Sequence, residues 1–128
     1  MDRRNTKQRQ LILDAVRSRC DHPSAEQIYN QVHEIDPKIS IATVYRNLNI
    51  LASEGQITAI NLPQADRFDL TTEKHNHFLC ENCGKVFDID VKYNDKLDNI
   101  KTDEGFVVQS HQIIFRGLCT ECAKQNNN

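Results

Sequence analysis

The chain has 128 residues, 16 Lys and Arg against 18 Asp and Glu, five cysteines and no tryptophan. That length allows one or two small domains with modest cores, and no apolar run approaches the roughly 20 residues of a membrane-spanning helix. The opening Met1-Asp2-Arg3-Arg4 lacks an apolar signal segment, so the expectation is a cytoplasmic protein with no membrane role and with reduced cysteines.

A net charge of −2 argues against nucleic-acid binding until it is mapped along the chain. Arg3, Arg4, Lys7 and Arg9 open the first predicted helix, and Arg17 and Arg19 follow. The cluster reads either as a solvated helix start or as an arm for a phosphate backbone. Leu11, Ile12, Ala15 and Val16 give this helix its apolar side. A second helix starts at Pro23-Ser24-Ala25-Glu26, carries Ile28, Tyr29, Val32 and Ile35 on one side, and ends at Pro37. Ser40 is a good N-cap for a third, with Ile41, Val44, Leu48 and Leu51 as the buried stripe and Gly55 at its end. Ala42, Thr43, Arg46 and Asn49 then fall on the opposite face, with Tyr45 at its edge.

Strands over 56–62 and 67–70, joined through Pro63-Gln64-Ala65-Asp66, complete a helix-turn-helix with a β-hairpin wing. Thr43, Tyr45, Arg46 and Asn49 would face base edges and phosphates, while Arg3, Arg4 and Lys7 meet the DNA backbone. An ordinary helical domain shares this periodicity and is the competing reading. After Thr72 the pattern changes: strands over 78–80 and 85–89, a helix over 92–104 with Leu97 and Ile100 inside, a long strand over 106–118, and a frayed polar tail over 123–128.

Cys80-Glu81-Asn82-Cys83 and Cys119-Thr120-Glu121-Cys122 carry the strongest chemical signal. Two residues between cysteines let both thiolates reach one tetrahedral ion, so the four make a closed structural Zn²⁺ site rather than disulfides. The spacer over 84–118, about 35 residues, exceeds that of a simple zinc ribbon, so the ion staples two ends of one folded unit. With all four positions filled, and with no His-x-Glu for a deaminase, neither an enzyme nor a small-molecule substrate is expected. Cys20, the odd cysteine, reads as a small buried hydrophobe.

His75-Asn76-His77 sets two imidazoles on alternate residues, which on an extended segment point to one side. Asp69 lies six residues before His75, Asp88 falls on the next predicted strand, and His22 heads the second helix. Singly these are a helix-start residue, a turn carboxylate and a surface charge. Together, three nitrogen and two oxygen donors suit Fe²⁺ or Mn²⁺.

The segments His22-Pro23-Ser24-Ala25-Glu26-Gln27-Ile28-Tyr29, Ile41-Ala42-Thr43-Val44-Tyr45-Arg46-Asn47-Leu48 and Arg67-Phe68-Asp69-Leu70 resemble, in order, the ferric uptake regulator family. The run from His75 through Lys85 and the second cysteine pair extend the match over nearly the whole chain. The resemblance implies an α+β protein, with an N-terminal winged-helix domain over 1–71 and a C-terminal α/β dimerisation domain over 72–128. It further implies a homodimeric, metal-dependent repressor of palindromic operator DNA. The family's structural zinc falls on Cys80, Cys83, Cys119 and Cys122, and its regulatory Fe²⁺ or Mn²⁺ on His22, Asp69, His75, His77 and Asp88. Aspartate at position 88, where iron sensors commonly have glutamate, resembles the peroxide-sensing branch, in which His22 and His75 would be the oxidised ligands. A further site of iron-sensing members falls on Lys74, Asn76 and His111, and lysine and asparagine are poor ligands. Arg46 instead resembles the iron-sensor reader helix. An iron- or other metal-uptake repressor is therefore the alternative, and a zinc-stapled interaction adaptor the more distant one.

Overall fold

The structure, a computed structural model, describes residues 3–125, with Arg3 and Arg4 described as backbone only. The expected phosphate contacts of those two side chains, and residues 126–128 of the polar tail, therefore lie outside the described residues. The chain divides into two compact units, Met1–Thr72 and Glu73–Asn128. No described helix is long and apolar enough to cross a membrane.

The first unit contains α1 (Arg3–Arg17), α2 (Ala25–His33), α3 (Ile41–Ser53), β1 (Thr58–Ile60) and β2 (Arg67–Asp69). Local chemistry fixes the helix ends. Ser24 and Gln27 form a reciprocal capping box on α2, with Gln27 N 3.2 Å from Ser24 Oγ and Ser24 N 2.9 Å from Gln27 Oε1. Ser40 Oγ accepts from Thr43 N at 3.1 Å to start α3. At the other end Gly55 takes φ +76°, and the bonds Gln56 N to Leu51 O and Gly55 N to Ala52 O close a Schellman turn. Ile12, Val16, Ile28, Val32, Val44, Leu48, Leu51 and Phe68 are wholly buried in one core. Two residues assigned to apolar faces are outside it: Ile35 lies past the end of α2 and is 67% exposed, and Ile41 is the first residue of α3 and 41% exposed. Cys20 is exposed, not buried, because α1 ends three residues before it.

The hairpin is shorter than expected and pairs antiparallel in the register Thr58↔Asp69, Ala59↔Phe68, Ile60↔Arg67. Its second strand is also tied to the start of α2, through Phe68 N donating to Pro23 O at 2.8 Å and a Ser24↔Arg67 bridge. Between the helices, the buried Asn47 accepts from Arg9 Nε at 3.1 Å and donates to Thr43 O at 2.9 Å.

The second unit is built on β3 (Asn76–Cys80), β4 (Val86–Ile89) and β5 (Ile114–Gly117), in the order β4-β3-β5, followed by α4 (Thr120–Gln125). β3 is antiparallel to β4 and parallel to β5. The helix expected over 92–104 is only a 3₁₀ turn, Asp95–Asn99. Asn94 caps that turn by accepting from Lys96 N at 3.1 Å, Leu97 is half-buried and Ile100 is exposed. Asn94, Asp95, Asp98 and Asn99 offer the backbone local alternatives to a helical ladder. The strand expected over 106–118 forms only at its end. Phe106 and Val107 are 65% and 62% exposed, and upstream of β5 the described pairing is a single Lys101↔Val107 bridge. The tail, expected to fray from residue 123, is helical to Gln125.

Leu48→Ala should destabilise the first unit by about 2–5 kcal/mol, and Ile41→Ala by no more than about 0.5 kcal/mol. Urea unfolding followed by helical ellipticity checks both. Equal losses would place Ile41 in the core after all.

Candidate metal centres

All four paired cysteines come together in the second unit. One sulfur from each of Cys80, Cys83, Cys119 and Cys122 lies within 4.8 Å of every other. Parallel pairing does this: Cys80 ends β3 opposite Gly117 of β5, so Cys119 follows two residues beyond its neighbour. Cys83 Sγ and Cys119 Sγ are 4.0 Å apart. A tetrahedron with Zn–S of about 2.3 Å has edges of about 3.8 Å, so the donor set fits zinc, whereas a disulfide needs about 2.05 Å. Backbone N–H groups of Cys83 and Cys119, each 3.4 Å from Cys80 Sγ, hold the Cys80 thiol down to about 6. The Asn82 amide, 3.3 Å from Cys122 Sγ, favours that thiolate too, but the neighbouring Cys119 sulfur and burial outweigh it and push Cys122 up to about 11. Four adjacent sulfurs do not all ionise without a cation among them. Asn82 was missed from sequence because it lies between the cysteines with no pattern of its own.

Of the five expected regulatory ligands, three converge within the second unit. His75 Nε2 lies 2.8 Å and His77 Nε2 3.5 Å from the same oxygen, Asp88 Oδ1. The antiparallel register sets His77 opposite Asp88, and the two imidazole centroids are 4.3 Å apart. His75 Nδ1 faces Glu73 O at 2.7 Å, an acceptor that would hold the ring proton on Nδ1 if Nε2 bound an ion.

The other two meet in the first unit, where His22 Nε2 and Asp69 Oδ2 are 3.4 Å apart and both residues are buried. His22 has φ +54°, a left-handed conformation uncommon outside glycine, which costs on the order of 1–3 kcal/mol. Arg67 holds it there by donating to His22 O at 3.2 Å. Asp69 Oδ1 accepts from Thr71 N at 3.0 Å, which turns Oδ2 towards His22.

The positions matching the further iron-sensor site hold a charge cluster instead. Lys74 Nζ is 3.1 Å from Asp98 Oδ2, which also accepts from Tyr93 OH at 2.6 Å, while Asp98 Oδ1 is 2.6 Å from His111 Nδ1. Tyr93, and then His111 and Lys74, hold the Asp98 carboxyl well below the usual carboxylate range against the opposing effect of burial. Burial first, and then the bond to Asp98, push Tyr93 up to about 12.

On α3, Tyr45, Arg46 and Asn49 are exposed, whereas Thr43 is half-buried with its hydroxyl 2.9 Å from Ser40 Oγ. Lys7 is exposed on α1. Arg9 is committed to Asn47, and Arg19 to Asp21 at 2.8 Å, so the basic segment offers fewer free cations than its composition suggests.

The sequence profile of the ferric uptake regulator family matches residues 1–116. The chain belongs to this family. The peroxide operon regulator of Bacillus subtilis is 35% identical over 127 residues, 98% of this chain and 88% of that protein. The peroxide-responsive repressor PerR of Staphylococcus saprophyticus is 37% identical over 125 residues, 93% of this chain and 82% of that protein. Among solved structures in the family, the Campylobacter jejuni peroxide stress regulator matches with a TM-score of 0.70 at 29% identity, over 93% of this chain and 91% of that one. The Helicobacter pylori ferric uptake regulator, described as having three functional metal binding sites, matches with a TM-score of 0.70 at 25% identity, over 91% of this chain and 80% of that one.

Two outcomes follow from this geometry. Cys80→Ser should abolish tight zinc binding and remove amide-exchange protection from β3 and β5 while α1–α3 stay protected. A protected, zinc-loaded variant would overturn the assignment. For Tyr93 the protonated form is favoured in the folded state, so its contribution is complete below its ordinary value of 10 and is lost as pH rises to about 12. Denaturant stability measured across that window should fall more steeply in the wild type than in Tyr93→Phe.

Proposed function

We propose that the chain is a homodimeric, metal-dependent repressor that releases palindromic operator DNA when hydrogen peroxide oxidises histidine ligands of its regulatory ion. The observation that carries this reading is a mixed donor set of three imidazoles and two carboxylates, His22 with Asp69 in one unit and His75, His77 and Asp88 in the other. Such donors suit Fe²⁺ or Mn²⁺, whereas the four thiols suit structural Zn²⁺. Identities of 35% and 37% to named peroxide regulators support the branch.

One ion shared by the two donor groups makes operator affinity depend on metal by as much as the ion prefers the closed arrangement. In a dimer, two α3 helices held at fixed spacing meet two half-sites together. Arg46, with Thr43, Tyr45 and Asn49, reads base edges and phosphates, and Lys7 with Arg3 and Arg4 meets the backbone. Fe²⁺ held by these residues would activate peroxide without being consumed, the two electrons of the net reduction coming from the imidazole that is oxidised. His22 and His75 take the oxygen: one peroxide adds one oxygen atom to an imidazole and leaves one water. The modified ring is a poorer donor, so the two units lose their tie. Each event consumes a side chain, so the protein acts as a cytoplasmic regulator and not as an enzyme. Arg46 favours the second reading, an iron- or other metal-uptake repressor, which shares every ligand except in its response to peroxide.

Asp88→Ala should keep the zinc and the dimer but lose Mn²⁺-dependent operator binding in gel-shift assays. Arg46→Ala should weaken the operator complex by about 1–3 kcal/mol without lowering thermal stability. Mild peroxide should release the Fe²⁺ form and spare the Mn²⁺ form, with a single added oxygen on peptides carrying His22 or His75. If both metal forms respond alike and neither peptide is modified, the metal-uptake repressor is the better reading.

A further inference from the structure

Alternate residues of the segment 74–77 have different partners. His75 and His77 reach Asp88, on β4. Lys74 and Asn76, interleaved with them, are held by the connection between β4 and β5. Asn76, itself buried, donates Nδ2 to Val91 O at 3.0 Å and to Lys92 O at 3.4 Å. Lys74 ends at Asp98, and its ammonium also sits 5.8 Å from the centroid of the Tyr93 ring. Tyr93 in turn stacks on His111, with centroids 4.5 Å apart. Successive side chains of an extended chain leave on opposite sides, so holding 74 and 76 on one side dictates where 75 and 77 point on the other.

Asp98 is the centre of that hold. It is only 5% exposed, yet it gathers three donors from three separate parts of the unit: Lys74 before β3, Tyr93 after β4 and His111 before β5. A buried carboxylate with no such partners would cost several kcal/mol. Lys74 supplies a cation on a covalent tether, so this carboxylate is neutralised before any metal arrives.

We propose that Asp98 is a positioning residue for the regulatory ion: acting through Lys74, it fixes the direction of the His75-Asn76-His77 segment in the metal-free protein. It touches neither the ion nor the DNA. Its effect is pre-organisation, because a site whose donors are already aimed loses less freedom when it binds. The inference rests on the regulatory-site reading and adds a residue to it.

The test is Mn²⁺ titration of the zinc-loaded dimer by electron paramagnetic resonance. Asp98→Asn and Lys74→Met should each weaken Mn²⁺ binding by about 10- to 100-fold, the range for outer partners of metal ligands. Lys74→Arg should restore it, and the double variant Lys74→Met/Asp98→Asn should be no weaker than either single change, since the two act as one pair. Zinc content and amide exchange in β3 and β5 should not move. Lys74 is largely exposed, so its variants fold even if Asp98→Asn does not. Wild-type Mn²⁺ affinity in Lys74→Met overturns the proposal, as does equal weakening by Met and Arg, or weakening that tracks zinc loss. His77→Ala separates the two levels. If His77→Ala weakens binding and Lys74→Met does not, only the positioning role fails; if His77→Ala binds Mn²⁺ normally, the regulatory site fails with it.

Discussion

The parallel pairing of β3 with β5 is the constraint on which the second unit depends. Its register, Cys80↔Gly117, delivers two cysteine pairs separated by 35 residues of chain to one point. Apolar burial does little to hold that pairing. The unit's buried apolar side chains, among the described residues, are Cys80, Val86 and Cys122, and two of these three are sulfur donors. An ion bound there does the work that a hydrophobic core does elsewhere, and its binding free energy becomes folding free energy. The opposite displacements of Cys80 and Cys122, down to about 6 and up to about 11, show how finely this depends on charge: backbone donors prepare one thiolate, while another stays protonated until a cation displaces its proton.

The first unit has the opposite economy. Among the described residues, thirteen buried apolar side chains form one cluster between three helices, two of them capped, and the hairpin, and no metal is needed to close it. This stiffness lets the unit hold His22 in a left-handed conformation. The strain is sustained by Arg67 on one carbonyl and by the Phe68 N–H on the next. A strained, buried histidine beside a buried aspartate is a poor choice for stability alone and a reasonable one for a ligand.

Much of this was legible because it is local. Ser24 and Ser40 cap helices through residues three positions on, Gly55 closes one, and each cysteine pair is four residues long. The failures have a common cause in distance. The apolar residues of 106–118 suggested a long strand, but Phe106 and Val107 are largely exposed and only Ile114–Gly117 finds a full partner in β3. The 92–104 segment carried apolar residues at helical spacing, yet Asp98 is drawn to Lys74, 24 residues away, and to His111, 13 away, and no local pattern announces either. Ile35 and Ile41 were assigned by phase without regard to helix ends, and Cys20 by residue type without regard to where α1 stops.

The exposed apolar side chains and the separation of metal chemistries bear on the same problem. Phe87, Phe106, Val107 and Leu118 leave the second unit with more apolar surface than its core compensates, which a second copy of the chain would relieve in the proposed dimer. In such an assembly, oxidising a cysteine of the zinc site would remove the ion that replaces the core, and the dimer would be lost with the fold. Oxidising an imidazole has no comparable consequence. In the proposed reading the oxidised His75 lies outside β3, so its modification would remove no pairing of the sheet and none of the four thiolates. Under the proposed function, sensing at nitrogen and oxygen donors would therefore change the affinity for DNA without unfolding the protein that reports it.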